Sequence, residues 1–576
     1  MMNKKVINKN QMQLHVSIII SLVLMMGCQT KTDKSIESIE KMNILWLVAE
    51  DLGPYIPPFG DSTIKTPHLS RLAAEGVRYN NVFSVSGVCS PSRAALATGM
   101  YPSSIGAHHM RTLYQQPAAK KMGIINYEAV LPAEVKMVSE ILRENGYYTT
   151  NNAKEDYQFF HSKMAWDESS NYAHWRNRPI GKPFYSMFSF MVTHESSLWN
   201  PVEKIHDLEV FPPAREMKSW WKQFENKFLP LVDENLSVVI PPYLPNTDKV
   251  VNDVRRMYSN IVRMDAHVGN ILTQLEEDGL LENTIIVWFT DHGGPLPRQK
   301  RLLYDAGLQV PMIVRYPNKF RSGEIDNRLI SFVDFAPTLL SMTEIKPPEY
   351  MQGLAFEGKF KVADERKFIH AAADRFDETY DMIRAVRDKR FKYLKNFQPQ
   401  KPYYLPLSYR ENMASMQELL RLNAIDSLNE KQALWFRKTK PNEELFDTHA
   451  DPHELNNLAE DPQFSGILSE LRRECETWMH DVSDMGHIPE QELINTFWPD
   501  KIQPLTANPV LNVENGELQI TCQTEGASIG YKRLQDLKEG LGWQIYTAPI
   551  GVDQEEPILV IAHRIGFAPS DTLQWN

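Results

Sequence analysis

Cys89 sits inside Ser84-Val85-Ser86-Gly87-Val88-Cys89-Ser90-Pro91-Ser92-Arg93-Ala94-Ala95-Leu96-Ala97-Thr98-Gly99, a cysteine at the mouth of a predicted helix. Ser90 is suited to cap that helix, Pro91 fits its first turn, and Arg93-Ala94-Ala95-Leu96-Ala97 propagates it. The free N–H groups of the first turn face an anion held beside Cys89. Arg93 adds forked donors that match the oxygens of phosphate or sulfate. A lone cysteine before a core helix is usually inert packing. The flanking Pro-Ser-Arg points instead to an anion site with a reactive centre.

The elements that must position such a site are also legible. Asn43-Ile44-Leu45-Trp46-Leu47-Val48-Ala49 and Thr284-Ile285-Ile286-Val287-Trp288-Phe289-Thr290 are nearly continuous apolar runs, as expected of strands buried on both faces. The first ends in Glu50-Asp51 and the second in Asp291-His292; a third, Phe184 to Thr193, ends in His194. Ligands gather at the carboxyl ends of strands in open α/β sheets, so three such ends imply one shared site. Oxygen ligands there suit a hard divalent cation such as calcium. Taken alone, Asp51 or Asp291 would read as a strand-end turn residue. Helices are predicted at Thr66–Gly76, Val138–Gly146 and Val250–Asp278, the last with one apolar face, and a short strand at Tyr147–Thr150.

The chain has 576 residues, 42% of them hydrophobic, enough for a large core and more than one domain. A net charge of −11 argues against nucleic acid and against a polyanion-binding surface, so an anionic substrate needs a local basic pocket. Residues 1–27 combine Lys4, Lys5 and Lys9 with an apolar run that ends in Gly27-Cys28. This looks like a bacterial lipoprotein signal, with Cys28 lipidated and residues 28–41 as a polar tether; Met25, where leucine is usual three places before that cysteine, leaves a plain secretory signal as the alternative. Export to the periplasm or outer membrane follows. Of the four cysteines, Cys475 and Cys522 fall in different expected domains and are expected to stay unpaired.

The Cys-x-Pro-Ser-Arg stretch ending in Thr-Gly resembles the signature of type I formylglycine-dependent sulfatases, in the alkaline-phosphatase-like superfamily, and the chain is similar to bacterial polysaccharide sulfatases from about Asn43 to Ile488. The resemblance implies that a formylglycine-generating enzyme converts Cys89 to formylglycine. Glu50, Asp51, Asp291 and His292, with the modified Cys89, would then hold one calcium ion. The family more often has Asp-Asp at the first pair and often Asn where His292 stands. Lys154, in Asn151-Asn152-Ala153-Lys154-Glu155-Asp156, matches a sulfate-contacting lysine, and Asp156 replaces the histidine expected two places on. Lys300, in Arg298-Gln299-Lys300-Arg301-Leu302-Leu303-Tyr304, matches a second lysine.

By the same resemblance, one hydroxyl of the formylglycine hydrate attacks sulfur beside Arg93. Lys154, Lys300 and the helix N-terminus hold the sulfate oxygens, and His194 protonates the departing sugar oxygen. The covalent sulfate hemiacetal then collapses to aldehyde and inorganic sulfate. His108, His109 and Arg111, which follow the signature helix, read as a sugar-side subsite or equally as a loop held by local hydrogen bonds; Asp156 and Arg298 complete the substrate-binding candidates.

The expected fold is α/β: a catalytic domain over 42–367 with a large mixed central sheet, a smaller subdomain over 368–505 with an antiparallel sheet, and a β-sandwich module over 506–576. Within the subdomain, Ala385–Tyr393 reads as a single strand. Aromatics at Trp199, Trp220, Trp221, Tyr403, Tyr404, Tyr409 and Trp435 fall in two segments that look inserted, where they either face sugar or anchor loops. The substrate expected is a sulfated glycan, with a lean towards ulvan-type material. Competing readings are a phosphate or phosphonate ester hydrolase on the same fold, and a catalytically silent surface glycan-binding lipoprotein.

Overall fold

The computed structural model describes residues 41–111, 122–200, 232–552 and 556–576. The signal at 1–27, Cys28, residues 29–40 of the tether, Trp220 and Trp221 lie outside the described residues. Among the described residues no helix is long and apolar enough to cross a membrane.

Eight strands form the central sheet: β1 (Asn43–Ala49), β2 (Val77–Phe83), β3 (Tyr148–Asn152), β4 (Glu168–Ser169), β5 (Phe184–Phe190), β6 (Thr284–Thr290), β7 (Gln309–Arg315) and β8 (Ile325–Ser331). Their order is β4-β3-β5-β1-β6-β7-β2-β8. β7 runs against both neighbours, and the remaining pairs are parallel, so the sheet is mixed. Alternate residues of β1 explain its unbroken apolar sequence. Leu45, Leu47 and Ala49 enter a core beneath the long helix Asp248–Glu277, whereas Ile44, Trp46 and Val48 enter a second core beneath helices Cys89–Thr98 and Phe335–Met342. A strand covered on both faces has no polar side to show.

Two expected strands are corrected. The run from Phe184 stops at Phe190, and a single 3-10 turn, Met191–Thr193, carries the chain on to His194. Ala385–Tyr393 is two strands: β10 (Thr379–Arg387) and β11 (Phe391–Asn396). Asp388 makes the break, its Oδ1 accepting the N–H groups of Arg390 and Phe391 at 2.6 Å each, a side-chain-closed turn. With β9 (Ile369–Phe376) and β12 (Glu443–Asp447) these strands form an antiparallel sheet in the order β12-β11-β10-β9.

Further on, residues 510–575 make a three-stranded and a four-stranded antiparallel sheet, and Leu518, Ile520, Ile550, Ile558 and Val560 share one small core. This unit is tied to the segment after β3: Gly566 N–H donates to Phe160 O at 2.9 Å, and Lys163 N–H to His563 Nδ1 at 3.0 Å. Cys475 packs in the core behind the antiparallel sheet, while Cys522 follows the strand Glu517–Thr521 of the last unit.

Candidate active site

β3, β5, β1 and β6 are consecutive in the sheet and run parallel, with Ala49 level with both Phe190 and Thr290. Their next residues therefore meet. Asp51 takes the left-handed conformation (φ 48°), a strained position for a non-glycine residue that its bonds hold in place. Its amide donates to Asp291 Oδ1 at 3.1 Å, and its Oδ2 accepts Glu195 N–H at 2.8 Å and Lys300 Nζ at 2.6 Å. Glu50 N–H donates to Thr193 Oγ1 at 3.1 Å.

The signature helix starts two residues earlier than expected. Cys89 is its first residue and Val88, in extended backbone, takes the cap position without a side-chain bond. Ser90, expected as the cap, is instead buried in the first turn, its hydroxyl without a hydrogen-bond partner. Ser92 fixes the helix to the sheet by donating to the carbonyl of Asp291. Gly87 permits the approach to the Lys300 loop: a Cβ there would lie 2.6 Å from Leu302 O, and Arg301 N–H donates to Gly87 O at 2.7 Å. Cys89 Sγ ends 3.3 Å from His292 Nε2 and 3.8 Å from Asp51 Oδ1. Burial pushes its thiol up, ahead of the opposing pull of Lys154 and Lys300.

Charge in the cluster is closely paired. Arg93 spans it, with Nε 3.1 Å from Asp291 Oδ2, Nη2 3.2 Å from Glu50 Oε1 and Nη1 3.2 Å from Ser189 Oγ. Lys154 Nζ lies 2.6 Å from Glu50 Oε2 and 3.4 Å from Asp156 Oδ2. Burial works against charge on Asp51, but Lys300, His194 and His292 outweigh it and hold the carboxyl well below its usual range. Glu50 goes the other way: burial exceeds the help of Lys154 and Arg93 and raises it. His194 presents Nε2 to Lys300 Nζ at 3.3 Å while Nδ1 accepts Ser196 N–H. Burial, then Lys300, lowers that imidazole to about 3, so it is neutral.

Oxygens of Asp51 and Asp291, His292 Nε2 and Cys89 Sγ lie within 4.8 Å of one another, and Glu50, Asp51, Cys89 and His194 form an overlapping set. On His292 burial opposes charge, yet the Asp291 and Asp51 carboxylates overcome it and raise the imidazole to about 10. Carboxylates that draw a proton onto a buried ring are a donor set with a deficit of positive charge. That chemistry fits a hard divalent cation.

His108 and His109 are buried, and His109 Nδ1 accepts the N–H of Arg375 on β9. Arg111 pairs with Glu128 at 3.5 Å. Arg298 is buried under Tyr243 and Tyr304 and donates to the carbonyls of His453 and Glu454, tying the loop to the chain after β12. Asp156 stands at the mouth, beside Lys154. Sequence reasoning missed Glu195, Arg301 and Asp377. The carboxylate of Glu195 lies 3.2 Å from Lys300 and takes Arg301 at 3.0 and 2.7 Å, and Arg301 Nε donates to Asp377 Oδ2 at 2.6 Å. Glu195 and Arg301 each adjoin a residue already singled out, and an acid at a strand end was the available signal for Glu195.

The sulfatase family profile matches residues 42–345, and the profile of the C-terminal region of N-sulphoglucosamine sulphohydrolase matches 298–432. An ulvan-active sulfatase of Formosa agariphila is 53% identical over 548 residues, covering 93% of this chain and 91% of that one. Human N-sulphoglucosamine sulphohydrolase is 24% identical over 499 residues, 80% of this chain and 95% of that one. Among solved structures, a 2-O GAG sulfatase shares the fold with a TM-score of 0.52 at 18% identity, covering 77% of this chain and 93% of that one. The profile match runs through every strand end described above and through the helix mouth at Cys89: the chain belongs to the sulfatase family and is a sulfuric ester hydrolase.

Proposed function

We propose that this sulfatase removes sulfate from ulvan-type polysaccharide or its oligosaccharides, with Cys89 acting as formylglycine. The observation that carries the substrate is the 53% identity to an ulvan-active sulfatase across 93% of the chain. The sulfated glycan class has further support in the match of residues 298–432 to the C-terminal profile of N-sulphoglucosamine sulphohydrolase. For Cys89, the support is its environment. Residue 89 opens the signature helix, its side chain 3.3 Å from His292 Nε2 and 3.8 Å from Asp51 Oδ1, and a hydrated aldehyde at the same carbon would offer an attacking oxygen there.

Asp51, Asp291, His292 and Glu50, with residue 89, would hold the cation, for which we propose calcium. A cation so held polarises a sulfate oxygen. The remaining work falls to the chain's own groups. Arg93 fixes the two acidic strand ends relative to the helix mouth. Lys154 and Lys300 flank the place where sulfate oxygens gather charge. His194 is neutral, so the proton for the leaving sugar oxygen belongs to the Lys300–His194 pair, whose nitrogens are 3.3 Å apart. Asp156 cannot give the contact that a histidine there would. It leaves an acceptor beside Lys154, suited to a sugar hydroxyl.

We also propose maturation by a formylglycine-generating enzyme during export, and lipid attachment at Cys28. The test is release of inorganic sulfate from ulvan oligosaccharides, run beside carrageenan and glycosaminoglycan oligosaccharides and an aryl phosphate. The Cys89 peptide is weighed from the same preparation. Sulfate release confined to ulvan material, with an aldehyde mass at residue 89, is the expected result. Turnover with an unmodified thiol would overturn the nucleophile, and release only from the other glycans would overturn the substrate.

A further inference from the structure

His194 is only partly buried and has an aromatic neighbour supplied from far along the chain. The ring of Tyr409 lies 6.4 Å from the His194 imidazole, and Trp199 meets Tyr409 at 5.1 Å with the planes at 80°, edge to face. Trp199 follows His194 through the short turn Glu195–Leu198, whereas Tyr409 comes from the segment between β11 and β12. Two separate stretches thus place one aromatic pair beside the Lys300–His194 pair, where the leaving oxygen departs.

The rest of the second stretch shows what anchoring looks like. Tyr403, Leu407, Met413 and Trp435 are buried at 7% exposure or less, and Arg410 lies over the rings of Tyr404 and Trp435. Tyr409 alone among these keeps 37% of its surface open. Its phenol is raised from its ordinary value, chiefly by burial and then by Glu195, as fits a ring packed beside the carboxylates of the site. An anchor would hide the ring. This one leaves part of its surface to solvent beside His194 and Trp199.

We propose that Trp199 and Tyr409 form the platform on which the sulfate-bearing sugar ring packs, with its C–H face on the aromatic surface and its ester oxygen at Lys300 and His194. This rests on the reading of the site as a glycan sulfatase and names the residues that recognise the sugar, apart from those that recognise sulfate. A pyranose supplies what the pair matches: a flat apolar face with polar groups at its rim.

The test uses the full chain carrying Cys89→Ser, so that ligand is bound without turnover. Two probes are titrated by calorimetry: a sulfated ulvan oligosaccharide and inorganic sulfate. Tyr409→Ala and Trp199→Ala are each expected to weaken the oligosaccharide about 5- to 20-fold, with inorganic sulfate unchanged within about twofold. Tyr409→Phe is expected to retain the oligosaccharide, because the ring and not the hydroxyl carries the contact. Melting temperatures near the parent's confirm folding, and the Phe variant keeps the test decisive if either Ala variant unfolds. Oligosaccharide affinity unmoved in the Ala variants, equal losses for both probes, or loss in Tyr409→Phe would each overturn the platform. A parent that binds sulfate but no sulfated oligosaccharide would overturn the glycan reading itself and the platform with it.

Discussion

Glu195 holds Lys300 at 3.2 Å with the same carboxylate that accepts both terminal nitrogens of Arg301. Lys300 continues to Asp51 at 2.6 Å and Arg301 to Asp377 at 2.6 Å. A chain of alternating buried charges therefore runs from the metal-site carboxylate to the β9–β10 turn. The Lys300–His194 pair is set by residues that touch no reacting atom.

Glu195→Gln removes the negative charge that two cations share. Lys300 then leans wholly on Asp51, and Arg301 loses its paired contact. We expect kcat to fall about 10- to 100-fold with a smaller change in KM, and unfolding to become easier by roughly 3 kcal/mol. Glu195→Asp should restore part of kcat. Steady-state kinetics on both variants checks this, and loss of stability with kcat intact would assign Glu195 to the fold alone.

Arg93 reaches Glu50 and Asp291 at once because a guanidinium is forked. Lysine keeps the charge but offers a single point, so Arg93→Lys gives up the contact with either Glu50 or Asp291 and unties one strand end from the helix mouth. Activity should drop about 100-fold or more, with weaker metal retention. Kinetics with and without added calcium separates the two effects, and near-normal turnover would show that the fork is dispensable.

Chelation should abolish turnover and lower the melting temperature, because the folded chain alone gathers the acidic strand ends into a binding set. At free metal about 100 times its dissociation constant the stabilisation lost is about 2.7 kcal/mol. Asp51→Asn and Asp291→Asn should blunt both responses. Thermal melts in chelator, calcium and magnesium make the measurement. A melt indifferent to all three would remove the cation from this cluster.

What could be read from sequence was whatever is local in the chain. Glu50-Asp51 and Asp291-His292 announce themselves because each ends an unbroken apolar strand, and Cys89 through Arg93 because one helical turn holds them. The resemblance and their position after the signature helix put His108 and His109 at a sugar subsite; that both are buried, with His109 Nδ1 accepting the N–H of Arg375, is a long-range contact with no local pattern. Long-range pairing leaves no pattern of this kind. Glu195 meets Arg301 across 106 positions, and Arg301 meets Asp377 across 76. The Asp388 turn was missed for a different reason: alternation continues across it, and only the backbone contacts of one carboxylate break the strand.

That buried antiparallel sheet carries its own pH signature. Arg384 is shared between Asp374 at 3.1 Å and Asp484 at 2.8 Å, and it cannot neutralise both fully. Burial raises the Asp374 carboxyl to about 7, against the pull of Arg384 and with the push of Asp484. A carboxyl raised in the folded state binds a proton that the unfolded chain has released. Its contribution is therefore complete below about pH 4 and lost as pH climbs through about 7. Asp374→Asn fixes the neutral form. Relative to this variant, the wild type should lose roughly 1.4 kcal/mol of stability per pH unit inside that window and run parallel above it. Denaturant unfolding of both proteins at pH 5, 6, 7 and 8 reads the difference directly, and parallel curves throughout would mean that Arg384 keeps Asp374 ionised after all.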